Sequence, residues 1–437
     1  MKARIGIIGL FVLCSACAAP SLRYKNDVAK LAAEGQFKAA SQYVTKKKNK
    51  MYSKRDAVLF YLDQGALAHD AKENKESDSS FAMAQQEIQN KQAASVTGET
   101  GRLIINDLTT SYKVPSFEQA FTYYYRGLNF LLQGNVASAA VEARKAVFFL
   151  DHLRGSKESG INDEPFIQYF ASLVFESAGE LSDARIARQN AFNAYSRFAS
   201  KLRLEVPSFQ VPSYADKLGE IIIIHANGLM PLKTTQTRQV AWNRAVLLAS
   251  SPAETGLTPA PEVENALTGA FVGSALTLSF PAFTELSYTI KSSAVSVDGE
   301  YPRPTRKMAD LSRMAQWDLD EKMPSILFRS ATRAVVKYVA SVQAREAAQS
   351  AAENSFAGDL AQMFVSFLGA LTEKADTRQW FTLPAEIYMS RVFVAPGKHR
   401  IRLLFRNGNG NIVGEYDFGE VTVRKGERIY LQHRTAQ

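Results

Sequence analysis

The chain has 437 residues, of which 46% are hydrophobic and 22% charged, a globular composition that excludes a disordered one. Its only cysteines, Cys14 and Cys17, lie at the start, and none of its five histidines sits three to five residues from another, so the rest of the chain has no disulfide framework, thiol nucleophile or paired zinc site. The net charge of +9, two units of it from Lys2 and Arg4, suits anionic surfaces such as lipid headgroups, but over this length it also describes an ordinary soluble surface.

Met1-Lys2-Ala3-Arg4, an apolar run from Ile5 to Leu13, and small residues before Cys17 predict a signal peptide over 1–16, too short for a stop-transfer helix. Small residues directly before a cysteine resemble a bacterial lipoprotein box, although Cys14 stands where Leu is usual. The resemblance implies a lipidated Cys17 as the new N-terminus and a tether over 17–21. The alternative is ordinary cleavage after Ala18. Ala18 rather than Asp after the lipidated residue implies the outer membrane, facing the periplasm, in a Gram-negative cell. Nucleic acid is not expected as a partner of an exported chain, and no cofactor or metal is expected.

Residues 22–203 predict a helical array. Segments Tyr24–Val44, Phe121–Val147 and Phe166–Phe192 share one pattern: an apolar-periodic helix runs into Gly35, Gly134 or Gly179, and a second helix follows with Ala40, Ala139 or Ala184 facing its partner. Glycine ends a helix in a left-handed conformation without a Cβ penalty, and alanine lets antiparallel helices approach closely. The pattern resembles tetratricopeptide repeats. Gly127, Phe130, Ala139 and Ala146 take the repeat positions best; Ser172, Phe175, Ala184 and Ala191 take them in the third copy, and Leu31 and Ala40 in the first. A degenerate copy is expected at 55–90, around Gly65 and Phe81–Ala84, and an insertion at 97–117. The closing proline of such repeats is missing, and the spacing is irregular. Lys46–Lys50 is expected to cap a helix C-terminus. Tyr123, Tyr124 and Tyr125 are either packing between hairpins or a concave partner-binding surface.

Pro207 and Pro212 mark a linker over 204–218. The remaining 219–437 reads as a mixed, strand-rich domain. Ile221–Ile224 predicts a strand buried on both faces, with His225 as a hydrogen-bonded strand end. Ala266–Ala275 is expected to be a short helix, and Leu276–Phe280, then Leu286, Tyr288 and Ile290, to be strands. Tyr301–Pro304 is a proline-rich turn. Two helices are expected at about 305–320 and 323–350, and Phe356–Leu371 carries an apolar helical stripe. Val392–Val394, Ile401–Phe405, Ile412–Phe418, Val421–Val423 and Ile429–Leu431 predict strands, with Asn407–Asn411 as a hairpin loop. The expected fold is α+β: a tetratricopeptide-like array followed by a β-sandwich-like domain with inserted helices.

Glu373-Lys-Ala-Asp376-Thr-Arg378-Gln-Trp380-Phe-Thr-Leu383-Pro384, with Pro396-Gly397 and His399 beyond it, resembles a family of bacterial lipoproteins that pair a tetratricopeptide-like N-terminal region with a strand-rich C-terminal one. The resemblance covers nearly the whole mature chain and carries no activity with it; it implies an envelope location and a loose link to cell-wall assembly. Glu373, Asp376 and Arg378 allow an acid pair with an electrostatic stabiliser, and Trp380 a sugar-stacking ring. They equally allow a structural junction in which Arg378 pairs with an acid while Trp380 and Leu383 enter the core. No GxSxG, HExxH, P-loop or dinucleotide fingerprint is present. The expectation is a non-enzymatic, lipid-anchored scaffold that binds an envelope protein, with a peptidoglycan- or glycan-binding or hydrolysing protein as the alternative.

Overall fold

The computed structural model describes residues 21–95, 110–155, 161–209, 217–250, 275–350 and 374–437. Cys17, Glu373, the stripe at 356–371 and the helix expected at 266–275, save Ala275 itself, lie outside them.

Helices fill the N-terminal half as successive antiparallel pairs: α1 (Leu22–Ala33) with α2 (Phe37–Met51), α3 (Ala57–Asp70) with α4 (Asn74–Ser95), α5 (Ser116–Leu132) with α6 (Val136–Gly155), and α7 (Pro165–Ser177) with α8 (Leu181–Leu202). One local device makes every turn. Gly35, Lys72, Gly134 and Gly179 each take a left-handed conformation, with φ of 72°, 63°, 73° and 76°. The next residue's N–H donates to a carbonyl five residues back: Gln36 to Leu31, Glu73 to Ala68, Asn135 to Phe130 and Glu180 to Phe175, at 2.8–2.9 Å. Five residues beyond the left-handed position stand Ala40, Ser77, Ala139 and Ala184, all buried against the partner helix. Where a degenerate copy is expected, at 55–90, the chain forms a helix pair whose turn uses Lys72 in place of glycine. Gly65 is small for a different reason: a Cβ there would come within 2.9 Å of the Phe81 ring. The Lys46–Lys50 run ends α2, with Lys48 and Lys50 in its last turn.

The C-terminal half holds the sheets, so the molecule is α+β with helices first. A four-stranded sheet has the order β10-β1-β7-β6, from β1 (Gly219–Asn227), β6 (Arg306–Asp310), β7 (Glu386–Val394) and β10 (Arg428–Thr435). A second has the order β5-β4-β8-β9, from β4 (Ser292–Val297), β5 (Arg303–Pro304), β8 (Gly397–Arg406) and β9 (Ile412–Val423). β1 is central, parallel to β10 and antiparallel to β7. Its four isoleucines explain the layering. Ile221 and Ile223 join Val392, Val295, Ile401 and Leu403 between the two sheets. Ile222 and Ile224 face the other way and join the core that runs through the helical array. The first sheet is thus a middle layer with helices on one side and the second sheet on the other. One apolar cluster crosses the linker at 204–218, so the two halves share a core.

Two expectations change. Leu286–Ile290 is not a strand: the Thr289 N–H donates to the Gln437 carbonyl at 2.9 Å, and β4 begins only at Ser292. The two helices expected over 305–350 are a strand, β6, followed by one helix, α10 (Leu311–Ser350), with Pro324 inside it. β6 forms because buried Met308 and Ala309 reach the array core while its backbone pairs with β7. Residues 232–241, for which the sequence carries no apolar alternation, form β2 (Leu232–Ala241), which among the described residues pairs only with β3 (Ala275–Thr284). This ribbon packs with α9 (Trp242–Ala249) and α10 through Trp242, Val246, Leu276, Leu278 and Val335. No helix among the described residues is long and apolar enough to cross a membrane.

Candidate functional site

Residues 374–385 have no regular secondary structure over most of their length, yet they are nearly all buried. They lie against α1, α3, α4 and α5 as a bound peptide would, held through main chain and side chains alike. The Lys25 ammonium donates to the Thr377 carbonyl at 2.9 Å, and Lys233 donates to the Arg378 carbonyl at 3.3 Å. The Trp380 N–H donates to the Glu118 carboxylate at 3.4 Å, and the Met230 N–H to the Leu383 carbonyl at 3.2 Å.

Arg378 is the polar anchor. Its guanidinium forks onto Asp376 at 2.9 and 2.7 Å, and a further nitrogen reaches Asp56 at 3.0 Å and the Thr110 carbonyl at 2.7 Å. Against the cost of burial, the bonds from Arg378 hold the Asp376 carboxyl below its usual range. Trp380 is the apolar anchor. Its side chain is 0% exposed and lies 5.6 Å from the Phe81 ring and 5.8 Å from Tyr125. Its indole N–H donates to Thr382 Oγ1 at 3.0 Å, and that hydroxyl donates to Asp63 at 2.9 Å. The Tyr52 hydroxyl donates to the other Asp63 oxygen at 2.8 Å. Leu383 and Pro384 are buried beside them. The void left beside Phe381 and Thr382 has a volume of about 10 Å³, too little for more than one water.

Burial sets the charges here. Desolvation pushes the Asp63 and Glu118 carboxyls up to about 7 each, and pulls the Lys25 ammonium down to about 8. These groups meet main-chain and hydroxyl partners, Lys25 at Thr377, Asp63 at Tyr52 and Thr382, and Glu118 at Tyr112 and Trp380.

The sequence-predicted residues separate accordingly. Asp376, Arg378, Trp380 and Pro384 come together in the groove, with Arg378 paired to acids and Trp380 in the core. Tyr124 and Tyr125 are 3% and 2% exposed, against Phe166, Phe170, Phe81 and Trp380, which leaves them no face for a partner; Tyr123 is half-buried against Phe149. His225 is buried between Ser293 Oγ at 2.9 Å and Thr435 Oγ1 at 2.7 Å. Lys25, Asp56, Asp63, Glu118 and Lys233 were not anticipated. The one local hint was a carboxylate inside an apolar helical run, as in Leu59–Leu62 before Asp63 and Phe117–Phe121 around Glu118.

A second polar junction ties the array to the middle sheet. Glu220 on β1 and Glu176 on α7 share Arg391 and Arg428, with Glu220–Arg428 at 2.6 Å and Glu176–Arg428 at 2.6 Å, and Arg188 also pairs with Glu176. Buried Arg434 on β10 pairs with Asp70 on α3 at 3.1 Å. An open cleft of about 210 Å³ lies between Val295, Tyr301, Phe393 and His399, where His399 is already bonded to Asp298 and the Ala395 carbonyl. Among the described residues no group of three or more His, Cys, Asp or Glu could hold a metal. Comparison with family models, curated proteins and solved structures finds no match to this chain.

Proposed function

We propose that this chain is an exported, lipid-anchored envelope protein that works as a non-enzymatic scaffold, with a divergent tetratricopeptide-like array clamped onto its own segment 374–385. The observation that carries the reading is the filled groove. Asp376 and Arg378 are spent on one another and on Asp56, and the Trp380 indole has no exposed face on which a sugar could stack. The four matching turns and the small buried residues at fixed offsets from them support a repeat origin for the array. The contacts among α3, α5 and α7, in addition to those between sequence neighbours, support the stacked arrangement that such repeats use. We read the chain as a member of the lipoprotein family its 373–384 stretch resembles, because the most specific residues of that stretch are those that lock the two halves together. Partner contacts then fall on surfaces outside the groove.

The test is mass spectrometry of the mature N-terminus, combined with crosslinking in cells and affinity capture of the full chain. A lipidated Cys17 with one recurrent crosslinked envelope protein is the expected result. An unmodified N-terminus at Ala19 with no recurrent partner would overturn the reading.

A further inference from the structure

The β2–β3 ribbon is a sheet of two strands, and its two edges are treated differently. At the β3 edge the Ser279 N–H donates to Ser330 Oγ of α10 at 3.3 Å, and that hydroxyl donates back to the Ser279 carbonyl at 3.1 Å. The backbone of Ser279 therefore points away from β2. By the alternation of an antiparallel ladder, Pro281 also turns its nitrogen outward, where a proline blocks strand addition at no cost to the ribbon. The β3 edge is closed.

The β2 edge is open. Thr237 is the ladder partner of Ser279, so its backbone also points outward, as do those of Thr235 and Gln239. Lys233, in the same parity, confirms the direction: its N–H leaves the ribbon and donates to Gln379 at 2.5 Å. Residues 235–239 are all exposed, and the outward backbone groups of Thr235, Thr237 and Gln239 have no partner among the described residues. Neither proline nor lysine stands in Thr235–Val240, and Arg238 is the single charge along it.

We propose that the β2 edge pairs antiparallel with the β2 edge of a second copy of this chain, with Thr237 facing Thr237 across a two-fold axis. The closed β3 edge forbids head-to-tail addition, so the assembly stops at a dimer with a β3-β2-β2-β3 sheet. Side-chain chemistry favours this register over the one with its axis at Arg238. With the axis at Thr237, Thr235 faces Gln239 of the other copy and Arg238 faces Gln236. A shift that puts the axis at Arg238 sets two arginines directly opposite one another, which is unfavourable. Threonine facing threonine is a favourable cross-strand pair.

The experiment uses the full chain. Sedimentation of the wild type should show a monomer–dimer equilibrium. Thr235→Lys combined with Gln239→Lys places lysines opposite each other in the proposed register, and should weaken dimerisation at least tenfold with an unchanged circular dichroism spectrum. Thr235→Glu combined with Gln239→Lys creates an opposite-charge pair in the same register and should restore it. Thr237→Cys should give a disulfide between two copies of the Thr237 peptide under mild oxidation, since a hydrogen-bonded antiparallel pair brings Cα atoms within disulfide reach. A wild type that stays monomeric, a dimer indifferent to both pairs of substitutions, or a Thr237→Cys chain that does not link at 237 would each overturn the proposal.

Discussion

Replacing Trp380 by alanine removes the apolar anchor of the 374–385 segment. The indole is 0% exposed and packs between Phe81 on α4 and Tyr125 on α5. Burial of roughly 200–250 Å² at about 25 cal/mol per Å² gives about 5–6 kcal/mol, and an unfolded chain that already shields part of the ring brings this to about 4 kcal/mol. That lies within the range of about 3–5 kcal/mol for such truncations. Thr382 loses the indole N–H but keeps its bond to Asp63, so the hydrogen-bond share is small. Trp380→Phe keeps a ring between Phe81 and Tyr125 and should cost about 1–2 kcal/mol. Urea unfolding followed by far-ultraviolet circular dichroism measures the loss, and hydrogen exchange locates it. Because the ring bridges the halves, Trp380→Ala should reduce protection in α3, α4 and α5 as well as in β7. A cost below about 1.5 kcal/mol, or a protection change confined to the sheets, would refute the picture of an array clamped on its own segment.

Asp63→Asn tests the buried carboxyl. The folded value of about 7 lies above the unfolded value of 3.8, so the contribution of Asp63 is fully present below pH 4 and is lost as pH rises through 7. Asparagine keeps an acceptor for Thr382 and can donate to the Tyr52 hydroxyl, so the variant should gain on the wild type across that window, by up to about 4 kcal/mol at pH 8; urea midpoints at pH 5 and 8 that shift in parallel would contradict it. Arg378→Ala strands the buried Asp56 and should cost about 3–5 kcal/mol, while Arg378→Lys, which cannot reproduce the fork on Asp376, should fall between it and the wild type in the same melts. Gly65→Ala forces a Cβ within 2.9 Å of the Phe81 ring and should cost about 1–3 kcal/mol by overpacking. Gly35→Ala meets open space but must hold a φ of 72°, so its cost of about 1 kcal/mol comes from the backbone; thermal melts of the two variants should keep that order.

The helix pairs were legible in the sequence because their signals are local. Gly134 and Ala139 state a turn and a close helix approach within a few residues, and the same spacing recurs at Gly35 and Gly179. Lys72 hides the second pair, since its left-handed conformation is imposed by the turn rather than advertised by the side chain. The Glu373–Pro384 stretch stood out by its resemblance to a lipoprotein family, and the structural junction considered for Arg378, Trp380 and Leu383 is what the groove contains. The groove's other wall was not legible: Asp63, Glu118 and Lys25 meet this stretch across more than 260 residues of chain, and no local pattern records such a pairing.

Sequence alone determined what depends on near neighbours: helices ended by left-handed turns, a four-isoleucine strand with both faces apolar, and the β8–β9 hairpin closed by Asn407 and Gly410. Tertiary structure decided what depends on distant partners. It set β1 between β7 and β10, turned 306–310 into a strand, and merged two expected domains around one core. It also decided that the groove of the helical array is filled by the chain itself, and it raised two carboxyls to about 7 by sealing them from water. Side-chain period and turn chemistry act over a few bonds, whereas burial and pairing are properties of whichever surfaces the folded chain brings together.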